Sequence, residues 1–178
     1  MNYMKIDPCD IANGPGVRVT LFCSGCSHHC QGCHNPQTWD PNAGQPFTDE
    51  TLNRIIDLLR PDYIRGLTLT GGDPLLMENE PEIARIIYKV KLLFDGKKDI
   101  WLWTGYTLEE LIQRIEDDDD EGLMSPTGEI LSGINVLVDG PYVEAKRDIS
   151  LPWCGSRNQR VIDVKQSKKN EIVLWKEN

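Results

Sequence analysis

The sequence predicts an α/β protein with a mostly parallel sheet, and two observations support this fold class. Strand-like segments alternate three times with amphipathic segments of helical period, which is typical of parallel strands joined by right-handed crossovers. The chain has 178 residues, 39% of them hydrophobic and 26% charged, as in an ordinary globular protein that buries its own core. We therefore expect a single domain over residues 1–178.

Four segments are predicted as the main strands because they are rich in β-branched, aromatic and other apolar residues. They span residues 17–22, 64–70, 99–104 and 134–138. The third of them is apolar on both faces, as a buried parallel strand should be. Two shorter strands are expected at residues 160–164 and 171–175.

Three helices are predicted between these strands, each with apolar residues at i, i+3, i+4 and i+7. The first begins after the cap Thr48, carries acidic residues in its first turn and ends before Pro61. The second begins at Pro81 and ends near Gly96. The third begins at a capping box over residues 107–110.

Two further segments lack a helical or strand pattern. Residues 35–46 are predicted to be irregular because prolines and a glycine interrupt their second half. The acidic run at residues 116–121 is interpreted as a solvated loop.

Loops and turns leave the carboxyl ends of the predicted parallel strands. They are the cysteine-rich segment 23–33 and the turns at 71–74, 104–106 and 139–140. Ligands in parallel sheets bind beyond the carboxyl ends of the strands. We therefore expect these four segments to converge on one site.

Four of the six cysteines lie between Cys23 and Cys33, and three of them form the pattern Cys26-x3-Cys30-x2-Cys33. Thiolates bind soft metals and iron–sulfur clusters. Zinc cysteines usually form two close pairs separated by a dozen or more residues. The spacing therefore favours an iron–sulfur cluster over a structural zinc site that uses all four thiols.

The other cysteines and the nearby histidines have less specific interpretations. Cys23 lies at the end of an apolar strand and is either a local fourth ligand or a small buried residue. Cys9 and Cys154 are interpreted as buried or idle thiols. His28 and His29 lie between two cysteines of the Cys-x3-Cys-x2-Cys pattern and are interpreted as loop residues instead of ligands.

The cysteine triad and the turn Gly71-Gly72-Asp73-Pro74, which directly follows a predicted strand, together resemble the radical S-adenosylmethionine superfamily. Segments 13–18, 34–35 and 38–39 are similar to the glycyl-radical-enzyme activases within it. Further segments resemble the branch of that family that acts on an anaerobic ribonucleoside-triphosphate reductase; they are residues 45–48, 101–106, 135–140 and 155–159. The resemblance extends from about residue 10 to residue 164.

The resemblance implies a set of site residues and two cofactors. Cys26, Cys30 and Cys33 would hold a [4Fe-4S] cluster whose remaining iron binds S-adenosylmethionine. Two groups of residues would contact that cofactor: the turn Gly71, Gly72 and Asp73, and the loop Gly32, Cys33 and His34. The implied fold is an open partial (β/α) barrel of the radical S-adenosylmethionine type, because a closed eight-stranded barrel takes roughly 200 residues or more.

The resemblance also implies an activity and its partners. The chain would generate a glycyl radical on the large subunit of the anaerobic ribonucleoside-triphosphate reductase, with electrons from a flavodoxin-type donor. Three alternatives stay open: an activase of another glycyl radical enzyme such as pyruvate formate-lyase, a radical enzyme acting on a small molecule, and a non-enzymatic zinc or electron-transfer module.

The charge and the N-terminus bear on partners and compartment. The net charge is −9 and the isoelectric point about 4.8, which argues against nucleic acid as the main partner because phosphate binding requires a basic face. Residues 1–5 lack the apolar region of a secretory leader, and no apolar run is long enough to span a bilayer. We expect a cytoplasmic protein with reduced cysteines and no membrane partner.

Overall fold

The centre of the molecule is a seven-stranded sheet, seen in a computed structural model that describes residues 1–118, 125–168 and 171–176. Its strands are β1 (Asn2–Asp10), β2 (Val17–Cys23), β3 (Gln45–Pro46), β4 (Ile64–Gly71), β5 (Asp99–Trp103), β6 (Val136–Asp139) and β7 (Arg160–Asp163). Their order across the sheet is β3-β1-β2-β4-β5-β6-β7. Strands β2, β4, β5 and β6 are parallel, whereas β1, β3 and β7 run antiparallel to their neighbours. The predicted α/β class is confirmed, and the sheet is parallel in its middle.

The described part of the chain contains four α-helices. They are α1 (Asp49–Leu59), α2 (Glu80–Phe94), α3 (Leu108–Asp117) and α4 (Pro126–Gly133). Thr48 caps α1 by accepting the N–H of Thr51, and Thr107 and Glu110 form the expected reciprocal capping box of α3. Helix α2 is capped at its C-terminus by Asp95, which adopts the left-handed conformation one residue before Gly96.

Several elements differ from the predictions. Strand β1 and helix α4 were not predicted, and residues 171–175 form isolated bridges to Ile162 and Lys168 instead of a strand. Within residues 35–46 the structure has a 3-10 turn at Pro36–Thr38 and the short strand β3. The start of the acidic run belongs to α3, and its end, at residues 119–121, lies outside the described residues.

The two faces of the sheet are covered differently. The helices pack on one face, against apolar residues such as Leu21, Leu69 and Leu102, and this layer forms the main core. The opposite face carries Arg18 and Trp101, both almost fully buried. It is covered in part by tryptophans from outside the regular strands.

The register of the parallel strands places their carboxyl ends at one edge. Cys23 at the end of β2 pairs with Gly71 at the end of β4, and Trp103 at the end of β5 pairs with Val138 near the end of β6. The loops that follow these residues therefore start side by side, as predicted. No helix in the described residues is long and apolar enough to cross a membrane.

Candidate metal centre

The cysteine loop, residues 24–35, leaves the carboxyl end of β2 and is tied to its neighbours by backbone hydrogen bonds. Gly25 N–H donates to the carbonyl of Thr38 at 2.7 Å, and Cys26 N–H donates to the carbonyl of Trp39 at 3.1 Å. These bonds satisfy the backbone groups at the start of a loop that has no regular structure.

Each of the three predicted ligand thiols is partly exposed and faces backbone N–H donors. Cys26 lies against the N–H groups of His28 and His29, and Cys30 lies against the N–H of Tyr142. Asn35 N–H donates to the sulfur of Cys33 at 3.3 Å. Such donors favour the thiolate, the form that binds metal.

Burial acts on two of these thiols in the opposite direction. It raises the pKa of Cys26 to about 11 and also raises the pKa of Cys30, while the backbone donors lower both. A metal that takes the place of the proton removes this penalty, because a coordinated thiol is held as thiolate.

The donor set fits an iron–sulfur cluster. Three thiols on one short loop reach the surface together, and their sulfurs accept N–H groups as cluster ligands do. Among the residues that the structure describes, no three His, Cys, Asp or Glu side chains converge as ligands of one metal ion would.

The Gly-Gly-Asp-Pro turn lies directly beside the cysteine loop. Gly72 N–H donates to the carbonyl of Cys23 at 2.8 Å, and Asp73 N–H donates to the carbonyl of Gly25 at 2.7 Å. A Cβ at Gly72 would overlap the backbone of Gly25, and Gly71 has φ 101° with the backbone of β2 less than 3 Å from its Cβ position. These two glycines are required by the close approach of two chain segments; their contact with a cofactor stays a prediction.

Asp73 is almost fully buried and its carboxylate is surrounded by donors. Oδ1 accepts the N–H of Leu75 at 2.8 Å, and Oδ2 accepts the N–H of Gly105 at 3.0 Å. The hydroxyl of Thr104 lies 2.9 and 3.0 Å from the two oxygens. The carboxylate thus joins the turn after β4 to the turn after β5.

His28 provides the link from the cysteine loop to Asp73. Its Nε2 lies 2.8 Å from Oδ2 of Asp73, and its ring meets Tyr106 edge-on at 4.5 Å. The hydrogen bond to Asp73 raises the pKa of His28 above its ordinary value, against the opposing effect of burial.

The opposite flank of the loop faces the segment after β6. The hydroxyl of Tyr142 donates to Glu144 at 2.5 Å, and both side chains occupy the space beside Gly32, which has φ 75°. The exposed ring of His34 lies 6.2 Å from the Tyr142 ring. Gly32 is thus closed off by protein on this side, and the predicted contacts of Gly32 and His34 with a cofactor remain predictions.

The three other cysteines lie outside the triad. Cys23 is buried at the end of β2, where burial holds its pKa far above the ordinary value. Cys154 packs in the aromatic cluster around Trp101, and burial raises its pKa to about 11. Cys9 is exposed on β1.

The structure brings the predicted segments together and adds residues that the sequence did not single out. The turns after β4, β5 and β6 all contact the cysteine loop or one another. The sequence interpretation missed the link from His28 to Asp73, the backbone donor at Tyr142, and Asn79, whose amide donates to the carbonyls of Ser24 and Asp73. The only signal for Tyr142 is its place two residues after the predicted turn at 139–140.

Comparison with known proteins gives the same cofactor class. Residues 12–162 match the protein family described as a 4Fe-4S single cluster domain.

The chain is also similar over most of its length to individual proteins. It is 45% identical over 163 residues to the anaerobic ribonucleoside-triphosphate reductase-activating protein of Escherichia coli strain K12, a match that covers 90% of this chain and 97% of that protein. The protein of the same name from Enterobacteria phage T4 is 45% identical over 161 residues, which cover 90% of this chain and 93% of that protein. The corresponding protein of Vibrio cholerae is 44% identical over 161 residues, with 89% and 96% coverage.

Proposed function

Because this chain belongs to the family of anaerobic ribonucleoside-triphosphate reductase-activating proteins, we propose that it activates the anaerobic ribonucleoside-triphosphate reductase by generating a glycyl radical on it. The observation that supports this proposal best is the cysteine loop. Its three partly exposed thiols lie at the carboxyl edge of the parallel strands and face backbone N–H donors. That arrangement suits a cluster that must remain accessible to S-adenosylmethionine.

The proposal assigns residues to two cofactors. Cys26, Cys30 and Cys33 hold the [4Fe-4S] cluster, and the segments 32–34 and 71–73 lie around S-adenosylmethionine. When bound, the cluster and S-adenosylmethionine would supply the radical chemistry that removes a hydrogen atom from a glycine of the reductase.

The chain's own residues bind and orient in this proposal. The thiols supply three ligands, and the N–H groups of His29, Tyr142 and Asn35 stabilise the negative sulfurs. The turns after β4 and β5 hold the loop in place from its buried side. No proton transfer by a side chain is required.

The open sheet fits a protein partner. Strands β3 and β7 end the sheet without pairing to each other, so we propose the partial barrel of radical S-adenosylmethionine enzymes as a single domain over residues 1–178. A sheet without a complete wall leaves room for a loop of the reductase large subunit to complete the site. A flavodoxin-type electron donor and a cytoplasmic location complete the proposal.

The ligand assignment is tested by iron and sulfide content after anaerobic reconstitution. Replacing Cys26, Cys30 or Cys33 by Ala is expected to abolish the cluster, since three thiolates are the minimum set. Cys9→Ala and Cys154→Ala are the matched controls and should load fully. Full iron loading in Cys30→Ala would contradict the ligand set, and loss of iron in Cys154→Ala would reveal a distant ligand.

The partner assignment is tested by paramagnetic resonance. The reduced protein is mixed with S-adenosylmethionine and, separately, with the anaerobic reductase or with pyruvate formate-lyase. We expect the glycyl radical doublet on the reductase. A doublet on pyruvate formate-lyase alone would overturn the partner while leaving the radical chemistry in place.

A further inference from the structure

We propose that His28 is a positioning residue for the cluster, and that Asp73 acts by supporting His28 instead of contacting S-adenosylmethionine with its carboxylate. This inference rests on the proposed function and concerns only how the cysteine loop is held. It changes the interpretation of both residues, because the sequence indicated a loop histidine without a role and an aspartate that faces the cofactor.

The carboxylate of Asp73 has no capacity left for a ligand. Its side chain is 2% exposed, and each oxygen already accepts a backbone N–H, from Leu75 on one side and Gly105 on the other. The hydroxyl of Thr104 and the Nε2 of His28 complete the set. With the carboxylate as the acceptor, the imidazole of His28 donates from Nε2 in this bond.

His28 is the point at which this buried carboxylate reaches the cysteine loop. It lies midway between Cys26 and Cys30, and its side chain crosses to a residue 45 positions later in the chain. The ring also lies against Tyr106, so its orientation is set by a hydrogen bond at one end and by an aromatic contact across its plane. No other side chain between these two cysteines makes a hydrogen bond that the structure describes.

The backbone conformation at residues 28 and 29 shows how the His28–Asp73 hydrogen bond would support the cluster ligand Cys26. The N–H groups of His28 and His29 face the sulfur of Cys26, and His29 has φ 45°, a conformation that costs free energy for a residue other than glycine. Such a conformation persists only where its surroundings enforce it. The His28–Asp73 bond and the contact of the His29 ring with Trp39 at 4.8 Å enforce it from both sides.

Gly105 shows that the position of the His28 ring is shaped from the opposite loop as well. A Cβ at Gly105 would overlap the imidazole, whereas the N–H of Gly105 binds the same carboxylate oxygen as His28. The turn after β5 therefore supplies both a donor for Asp73 and the space in which the ring lies.

The test uses the reconstituted protein with four variants. His28→Ala removes the link, His28→Gln replaces Nε2–H with an amide N–H of similar reach, and Gly105→Ala displaces the ring from another loop. Ser27→Ala is the matched control, because Ser27 lies between the same two cysteines, its side chain is exposed, and it makes no hydrogen bond that the structure describes. The measurements are the rate of iron loss to excess chelator and the paramagnetic resonance spectrum of the reduced cluster with and without S-adenosylmethionine.

His28→Ala and Gly105→Ala are expected to take up the full iron content but to lose it about tenfold faster, as for other residues that orient metal ligands. Their spectra should change, because the N–H groups at Cys26 move. The rates of iron loss of His28→Gln and Ser27→Ala should stay within about twofold of that of the unmodified protein. A residue that serves only global stability would not alter the spectrum of a fully loaded cluster.

Two outcomes would overturn the inference. One is a His28→Ala protein with the unmodified spectrum and rate of iron loss, and the other is a His28→Gln protein as impaired as His28→Ala. Failure of the proposed function is distinguishable, because it would appear as a missing glycyl radical on the reductase with the unmodified protein, whereas this inference is tested by iron loss and spectra of the variants.

Discussion

The cysteine loop is held on two flanks that differ in burial. On the inner flank, Asp73, Asn79 and Thr104 are almost fully buried and every polar group of the Asp73 carboxylate has a partner. On the outer flank, Tyr142 and Glu144 make an exposed pair next to Gly32. Buried polar groups are costly to leave unpaired and exposed ones are not. The inner flank should therefore fix the loop, while the outer flank can change shape when a partner binds.

The substitution Asp73→Ala is the strongest test of this difference between the two flanks. It leaves the N–H groups of Leu75 and Gly105 and the hydroxyl of Thr104 without their acceptor in a buried site. We expect a loss of about 3 kcal/mol or more in the free energy of unfolding, since each unpaired buried group costs about 1–3 kcal/mol.

The measurement is chemical denaturation of the metal-free chain. Asp57→Ala is the control, because Asp57 is exposed and forms a surface ion pair with Arg60, and such a pair contributes about 0–1 kcal/mol. An Asp73→Ala variant that matched the control would show that the inner flank is not the firmer one.

A smaller effect is expected for Asn79→Ala. The side chain is 2% exposed and its amide donates at 2.9 Å to the carbonyls of Ser24 and Asp73. The structure describes no side-chain capping bond from Asn79 to α2, so the loss reports on its bonds to Ser24 and Asp73. We expect about 2 kcal/mol by the same measurement, with the exposed helical residue Asn53→Ala as control. A change equal to that of Asn53→Ala would remove Asn79 from the inner flank.

The smallest effect is expected on the outer flank, for Tyr142→Phe. The substitution removes only the hydroxyl bond to the exposed Glu144 and retains the backbone N–H that faces Cys30. The free energy of unfolding should change by less than about 0.5 kcal/mol, as for most surface substitutions, and iron content after reconstitution should stay the same. Loss of iron in this variant would show that both flanks fix the loop.

The regular elements of the core were predictable because their signals are local. The apolar residues at 52, 55, 56 and 59 define the buried face of α1, and the capping box at 107–110 marks the start of α3. Strand β1 has no such signal: Pro8 and several polar residues interrupt it, and it is stabilised by antiparallel pairing with β2. Helix α4 is short and contains two glycines, which hides its period.

The site was predictable only where its residues are close in sequence. The spacing of Cys26, Cys30 and Cys33 is visible within eight residues of the chain. The residues His28 and Asp73 are 45 positions apart in the chain, and neither residue has a local sequence signal that predicts their hydrogen bond. Gly72 shows a third case: the sequence predicts contact with a cofactor, which stays a prediction, and the structure gives a separate reason for glycine there, the close approach of the Gly25 backbone.

The distribution of tryptophans gives the molecule two separate optical reporters. One cluster lies on the sheet face opposite the helices and contains Trp101, Trp103, Trp153 and Trp175. The ring centroids of the last three lie 4.8 to 6.0 Å from that of Trp101. The fifth, Trp39, lies apart from them against His29 of the cysteine loop. Rings this close couple electronically, so the cluster should dominate the near-ultraviolet circular dichroism. Trp39 alone should report, through its fluorescence, on events in the loop.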